Sequence, residues 1–306
     1  WSTSRGSAAA APTCARRALL GAPPFSAPGS SSASGSPHSC AARAAHYIRR
    51  VQYLGGKSRL GGQIVRAILR DLGRDRLGVV ADLCAGAGGV THRLADVSER
   101  VIAVEAHPGL VALHKAVQAG WVPPEQVSEE EYRALRNGDP ADPLVAFAGF
   151  GCSFGGKWWG GYASARRARA DGPLYTYAAS AQRSVCSRTR VNVEHVCADA
   201  LAWSGEVEVA YCDPEYEGTT GYAAIAAAEP GAWWRKLQAL ADRGVACYLS
   251  EYAEVPPEGV AARQIWSAKT DPRHLTRGTK TERLWRVLPS PPHTPPAEPP
   301  APKWPA

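Results

Sequence analysis

The sequence predicts an α/β protein built on a parallel sheet covered by helices on both sides. Three observations lead there. Short apolar runs alternate with helical patterns along most of the chain. One early run ends in the glycine-rich turn Asp82-Leu83-Cys84-Ala85-Gly86-Ala87-Gly88-Gly89. A later run, Val207–Cys212, ends on Asp213-Pro214-Glu215-Tyr216.

The strands are expected at 79–85, 101–106, 193–198, 207–212, 244–250, 264–268 and 282–288. The helices are expected at 58–72, 89–96, 109–119 and 231–242. In the last of these, Trp234, Leu237, Leu240 and Ala241 share one face. Near-continuous apolar strands separated by helices imply a parallel sheet covered on both sides. Residues 120–190 break this rhythm. They are rich in glycine, arginine and aromatic residues and read as an inserted module, with a helix expected over 175–190.

The chain has 306 residues, enough for one large α/β domain with an insertion or for two domains. No apolar run approaches the ~18 residues that span a bilayer, so a soluble protein is expected. Residues 1–46 are dominated by Ala, Ser, Pro and Gly and are expected to be disordered. They are arginine-rich and acid-free, like a transit peptide, but also like spurious upstream sequence. Residues 289–306 read as a proline-rich tail.

The net charge of +7 owes most to the first 50 residues, which hold six arginines and no acid. Basic groups then gather over 157–190 and 263–286, whereas acids gather over 120–143. Local cationic patches on a near-neutral body suit a polyanion docking at one face; solvated surface charge is the plainer reading. The eight cysteines lack zinc spacing, so no metal and free thiols in a reducing compartment are expected.

The glycines of the first turn let backbone approach a ligand, and the helix after them offers N–H donors. Glu105 ends the next strand, where an acid commonly accepts ribose hydroxyls. The spacing is not GxGxxG, which argues against a dinucleotide and for the shorter turn that cradles S-adenosylmethionine. Upstream, Tyr53-Leu54-Gly55-Gly56-Lys57 can cover a cofactor and bind its carboxylate. At the other strand tip, the Asp213 carboxylate and the Pro214 carbonyl can accept both N–H groups of an aromatic amine. Tyr216 can stack on its ring. That arrangement aims the nitrogen lone pair at a methylsulfonium. An adenine in duplex DNA must be flipped out to reach it.

On these residues the chain resembles the Dam-like, phage-type DNA N6-adenine methyltransferases. Tyr53–Lys57 is similar to the family's N-terminal cofactor motif and Asp82–Gly89 to its glycine-rich motif. Glu105 resembles the acid after the second strand. Asp199, in Cys197-Ala198-Asp199-Ala200, resembles the contact to the cofactor adenine. Asp213–Tyr216 resembles the catalytic motif, Leu249–Tyr252 the following strand, and Thr276–Val287 the closing segment. Gly151–Tyr162 is similar to a stretch of phage members.

The resemblance implies methyl transfer from S-adenosylmethionine to adenine in double-stranded DNA by a monomer or weak dimer. It implies a doubly wound, Rossmann-like methyltransferase sheet with a reversed last strand and a DNA-recognition module inserted before the catalytic strand, in the cytoplasm of a bacterium or phage-infected host. The catalytic domain would comprise 47–119 and 191–288, and the target-recognition insertion 120–190. The implied catalytic residues are Asp213, Pro214 and Tyr216. Those for the cofactor are Tyr53, Lys57, Asp82, Cys84, Gly86, Gly88, Glu105 and Asp199.

In the insertion, Lys157, Trp158, Arg166, Arg167, Arg169, Arg183, Arg188 and Arg190 are candidate DNA contacts. Trp158 or Trp159 would fill the gap left by a flipped base, or form the core of the module. Near the end of a helix, Arg183, Arg188 and Arg190 also suit the helix dipole. One departure stands out: Glu215 occupies the position of the family's second proline, which removes rigidity and adds a negative charge. Alternatives are a methyltransferase acting on RNA or on a protein glutamine, and a non-catalytic DNA-binding remnant. A nicotinamide dehydrogenase is disfavoured by the missing GxGxxG.

Overall fold

The computed structural model describes residues 57–164, 166–167, 174–215, 228–270 and 280–291. These belong to the larger of two compact units, Ile48–Ala306. Tyr53, Arg169 and Tyr216 lie outside the described residues, as do both tails beyond Ser290-Pro291 and before Lys57.

Seven strands form one sheet: β1 (Leu77–Asp82), β2 (Ser98–Glu105), β5 (Val193–Cys197), β6 (Val209–Cys212), β7 (Ala246–Glu251), β8 (Ala262–Thr270) and β9 (Lys280–Val287). Their order is β5-β2-β1-β6-β7-β9-β8. The first five pair in parallel. β9 runs antiparallel to both β7 and β8. The reversed last strand is therefore present. Each expected strand and helix has a counterpart, with ends shifted by a few residues.

The period-2 alternation of the strands explains the layers. Val80, Val101, Ala103, Val209 and Tyr211 join one apolar cluster, with α1 (Gly61–Leu72) and α2 (Thr91–Ala95). Ala81, Ile102, Val104, Ala210 and Cys212 join the other, with α7 (Ala232–Ala241). The sheet is thus covered on both sides. Ile64 and Ile68 in α1, and Leu237 in α7, are fully buried; each contributes roughly 1.5–3 kcal/mol. α1 stops at Gly73, whose left-handed φ of 63° lets the chain bond back to Arg70 and Leu69.

The insertion lies between α3 (Pro108–Gln118) and β5. It contains α4 (Glu129–Leu135), α5 (Pro143–Ala146), a π-helical turn (Phe147–Gly151) and a two-stranded ribbon, β3 (Arg166–Arg167) with β4 (Leu174–Tyr175). α6 (Tyr177–Arg188) closes it. Part of its acidic stretch is structural. Ser128 and Glu131 cap α4 reciprocally, and Asp142 caps α5. The insertion has its own apolar core of Tyr132, Phe147, Cys152, Ala178, Ala181 and Val185, packed onto Leu113 and Val117 of α3.

The strand order reverses between β1 and β6, which places their carboxyl ends side by side at a topological switch point. In open α/β sheets this is where ligands bind. Among the described residues no helix is long and apolar enough to cross a membrane.

Candidate active site

After Asp82 the chain leaves β1 and is tied to both neighbouring strands. Leu83 N–H donates to the Tyr211 carbonyl at 2.8 Å and Ala85 N–H to the Val104 carbonyl at 3.1 Å. The turn needs glycine: Gly86 and Gly88 have φ of 50° and 71°. A close approach is also required at Gly61 of α1, where a Cβ would stand 2.8 Å from the Gly89 carbonyl oxygen. The lysine motif before α1 and the glycine turn are therefore packed backbone to backbone.

Three side chains hold three successive carbonyls of this turn. His114 Nε2 lies 3.1 Å from Gly86 O, Arg188 donates to Ala87 O at 2.9 Å, and His92 Nδ1 lies 2.7 Å from Gly88 O. A carbonyl only accepts, so each histidine nitrogen carries the proton. Burial pushes both imidazoles down to about 4, which keeps them neutral and fixes those tautomers.

Glu105, at the tip of β2, accepts Gly86 N–H and His107 N–H, one on each oxygen, both at 2.8 Å. Burial raises its pKa, and the charge of Glu215 adds to that. A carboxylate has about four lone-pair sites, so Glu105 can brace the turn and still accept ribose hydroxyls. Asp199 lies just beyond β5, which is paired with β2, and is exposed; it accepts Leu201 N–H at 2.9 Å.

Asp82 is buried beneath the turn and accepts the Thr91 hydroxyl at 2.7 Å. Desolvation pushes its carboxyl up to about 7, and the charges of Asp213 and Glu105 act in the same direction. Its position corrects the expectation of a direct cofactor contact: Asp82 anchors the start of α2 under the loop.

The two strand tips meet through sulfur. Cys84 Sγ lies 3.7 Å from Cys212 Sγ, and both thiols have raised pKa values. One residue further on, Asp213 Oδ1 lies 2.8 Å from Lys57 Nζ. The same ammonium lies 3.4 Å from Glu282 Oε2 on β9. Burial lowers the Lys57 pKa, but Asp213 and Glu282 outweigh it and the net shift is upward. Lys57 was expected to bind the cofactor's carboxylate; here its ammonium pairs with two carboxylates of the protein. Pro214 is buried and Glu215 exposed.

Sequence reasoning missed Glu282, His92 and His114. For Glu282 a signal exists: it is in phase with the buried Leu284 along β9, so it faces inward.

The insertion's expected DNA contacts divide. Lys157 and Arg183 are exposed. Arg166 and Arg167 lie in the ribbon. Arg188 turns inward to Ala87 O, and Arg190 pairs with Asp96 at 2.7 Å while donating to Ser187 O and Thr189 O. The last two therefore have intramolecular work where duplex contact was expected. Trp158 is half-buried against His107 and Phe150, with ring centroids at 4.5 and 4.7 Å. Trp159 packs on Tyr132 at 4.8 Å and has a φ of 48°. Neither is presented outward; the exposed aromatic of this stretch is Phe154, at 57%.

No protein-family model matches the chain. No curated protein is significantly similar to it. Among solved structures it resembles a Pyrococcus horikoshii protein described as an RNA methyltransferase, at 13% identity and TM-score 0.39, over 76% of this chain and 85% of that one. It also resembles a dimethyladenosine transferase from Plasmodium falciparum, at 11% identity and TM-score 0.34, over 74% and 61%. An rRNA methylase from Streptococcus thermophilus gives 10% identity and TM-score 0.32, over 75% and 95%. Similarity this low says nothing of substrate, and the fold rests on the strand order and pairings of this chain.

Proposed function

We propose that the protein is a Dam-like methyltransferase that moves the methyl group of S-adenosylmethionine to the N6 amine of an adenine flipped out of double-stranded DNA. One observation carries the reading. Asp213 emerges at a strand tip beside the glycine turn, with the Cys84 and Cys212 sulfurs 3.7 Å apart and Lys57 Nζ 2.8 Å from the carboxylate.

The charge of the crevice supports the choice of cofactor. Asp82, Glu105, Asp213, Glu215 and Glu282 gather near these tips; burial chiefly makes Asp82 and Glu105 hold their protons more tightly, and their acidic neighbours add to it. An excess of carboxylates favours a cationic sulfonium and disfavours the pyrophosphate of a dinucleotide. S-adenosylmethionine, when bound, supplies an electrophilic methyl group.

The protein's own residues do the rest. Glu105 accepts ribose hydroxyls, and the braced turn Gly86–Gly88 offers close backbone approach. Asp213 and the Pro214 carbonyl accept the two N–H groups of the amine and orient its lone pair. Lys57 fixes the Asp213 carboxylate. The exposed Lys157 and Arg183, with the ribbon of Arg166 and Arg167, are suited to phosphates. Phe154 is the aromatic available to enter the gap left by the flipped base.

The test is chemical identification of the product. The protein is incubated with unmethylated duplex DNA and methyl-labelled cofactor, and the DNA is hydrolysed and its nucleosides separated. The reading requires label in N6-methyldeoxyadenosine. Label found in RNA or in protein glutamine, offered in parallel, would replace the DNA assignment, and label nowhere would leave the non-catalytic remnant.

A further inference from the structure

We infer that Glu282 is a positioning residue for the reaction: from β9 it shares the Lys57 ammonium with Asp213, and so leaves Asp213 able to accept hydrogen bonds from the amine. The inference rests on the proposed methyl transfer and extends it to a residue in a different part of the fold.

Glu282 cannot touch a substrate itself. It is 1% exposed and reaches the crevice through Lys57 Nζ at 3.4 Å. Lys57 is in turn 2.8 Å from Asp213, with side-chain exposures of 9% and 14%. In so dry a place an ion pair is strong, and a lysine paired with one carboxylate alone would draw heavily on it. That carboxylate would then be a poorer acceptor for the amine. A second carboxylate within 3.4 Å of the same ammonium divides the attraction. The three groups carry a net charge of about −1 when all are ionised, which also suits a cationic donor nearby.

Among the described residues, groups that raise the Lys57 pKa come from three places: Asp213 after β6, Glu282 on β9 and Tyr252 after β7. The two acids outweigh desolvation and keep the ammonium protonated. Glu282 thus has two separable effects: it holds the charge on Lys57, and it limits how tightly Lys57 engages Asp213.

The test uses full-length Glu282→Gln, Glu282→Asp and Lys57→Met, and the double variant Lys57→Met/Glu282→Gln. Glu282→Gln is nearly isosteric, and thermal unfolding establishes that it is folded. The Lys57 amine is titrated by nitrogen NMR in the cofactor-free protein. We expect its titration to move to lower pH in Glu282→Gln and to return part of the way in Glu282→Asp. The turnover number for methyl transfer should fall about tenfold in Glu282→Gln with KM for DNA nearly unchanged. The double variant should be no slower than Lys57→Met alone, because the two residues act as one unit.

An unmoved Lys57 titration, or independent multiplication of the two rate losses, would overturn the inference. If the wild type transfers no methyl at all, the functional proposal fails instead, while the titration still decides whether Glu282 governs Lys57. If no Glu282 variant folds, the rate of Lys57→Met decides: retention of wild-type turnover without Lys57 removes the route by which Glu282 could act.

Discussion

Replacing Arg188 by alanine separates two roles that the sequence left together. Arg188 donates to the Ala87 carbonyl at 2.9 Å, so its loss frees the middle of the glycine turn. A hydrogen bond from a charged donor is worth roughly 1.5–3 kcal/mol. Arg188 is only half-buried, so the lower end applies. If the loosened turn must be reordered on cofactor binding, about 1.4 kcal/mol corresponds to a tenfold weaker cofactor Kd.

Affinity for DNA should behave differently. Each phosphate contact contributes about 0.9 to the slope of log K against log salt, and an inward-turned Arg188 contributes none. Arg183, exposed on the same helix, is the control: Arg183→Ala should flatten the slope by about 0.9 and leave the cofactor Kd alone. Calorimetric titration with cofactor, and fluorescence anisotropy of a labelled duplex over a salt series, read both quantities. A flattened salt slope in Arg188→Ala, with an unchanged cofactor Kd, would refute the structural role.

Other outcomes follow from the same site. His92 and His114 titrate near 4 in the fold against about 6.5 unfolded. The unfolded chain therefore binds more protons below pH 6.5, and stability should fall as pH drops from 6.5 towards 4. Asp82, raised to about 7, acts in the opposite direction, so the histidine is read by difference. His114→Gln should weaken the pH dependence of the urea midpoint by about one proton; an identical dependence contradicts the assignment. Glu215→Pro should raise turnover several-fold by restoring rigidity, and an unchanged single-turnover rate means rigidity there is not limiting. Phe154→Ala should lower kcat/KM on duplex DNA by about tenfold, from a stacking contact of roughly 1–3 kcal/mol, with rescue by Phe154→Trp. Equal losses on duplex and on an adenine already unpaired would remove Phe154 from the gap.

Much of the fold was legible because its signals are local. The run Val209–Cys212 is wholly buried, as continuous apolar strands in parallel sheets are. The glycine turn and Asp213 declared themselves at the ends of such runs. The meeting of Lys57 with Asp213 did not, because a contact between residues 156 apart in sequence depends on strand order, which no local pattern contains. Lysine beside two glycines suggested a ligand carboxylate; the protein supplies its own carboxylates at that point. Arg188 and Arg190 were ambiguous for a related reason. A cation near a helix end satisfies the dipole equally well whether it faces DNA or, as here, the Ala87 carbonyl and Asp96. The tryptophans of the insertion were read as wedge or core; Trp159 packs against the module's core, and Gly149 leaves room for the half-buried Trp158 ring.

The most direct test of the shared crevice compares wild type with Asp213→Ala in two assays on the same preparation. Cofactor affinity should stay within a few-fold, because the glycine turn and Glu105 are intact. Single-turnover methyl transfer to DNA should fall by about 10²–10³ or more, the loss typical of a missing electrostatic contact at the reacting group. Transfer that persists at the wild-type rate without the Asp213 carboxylate would contradict the account.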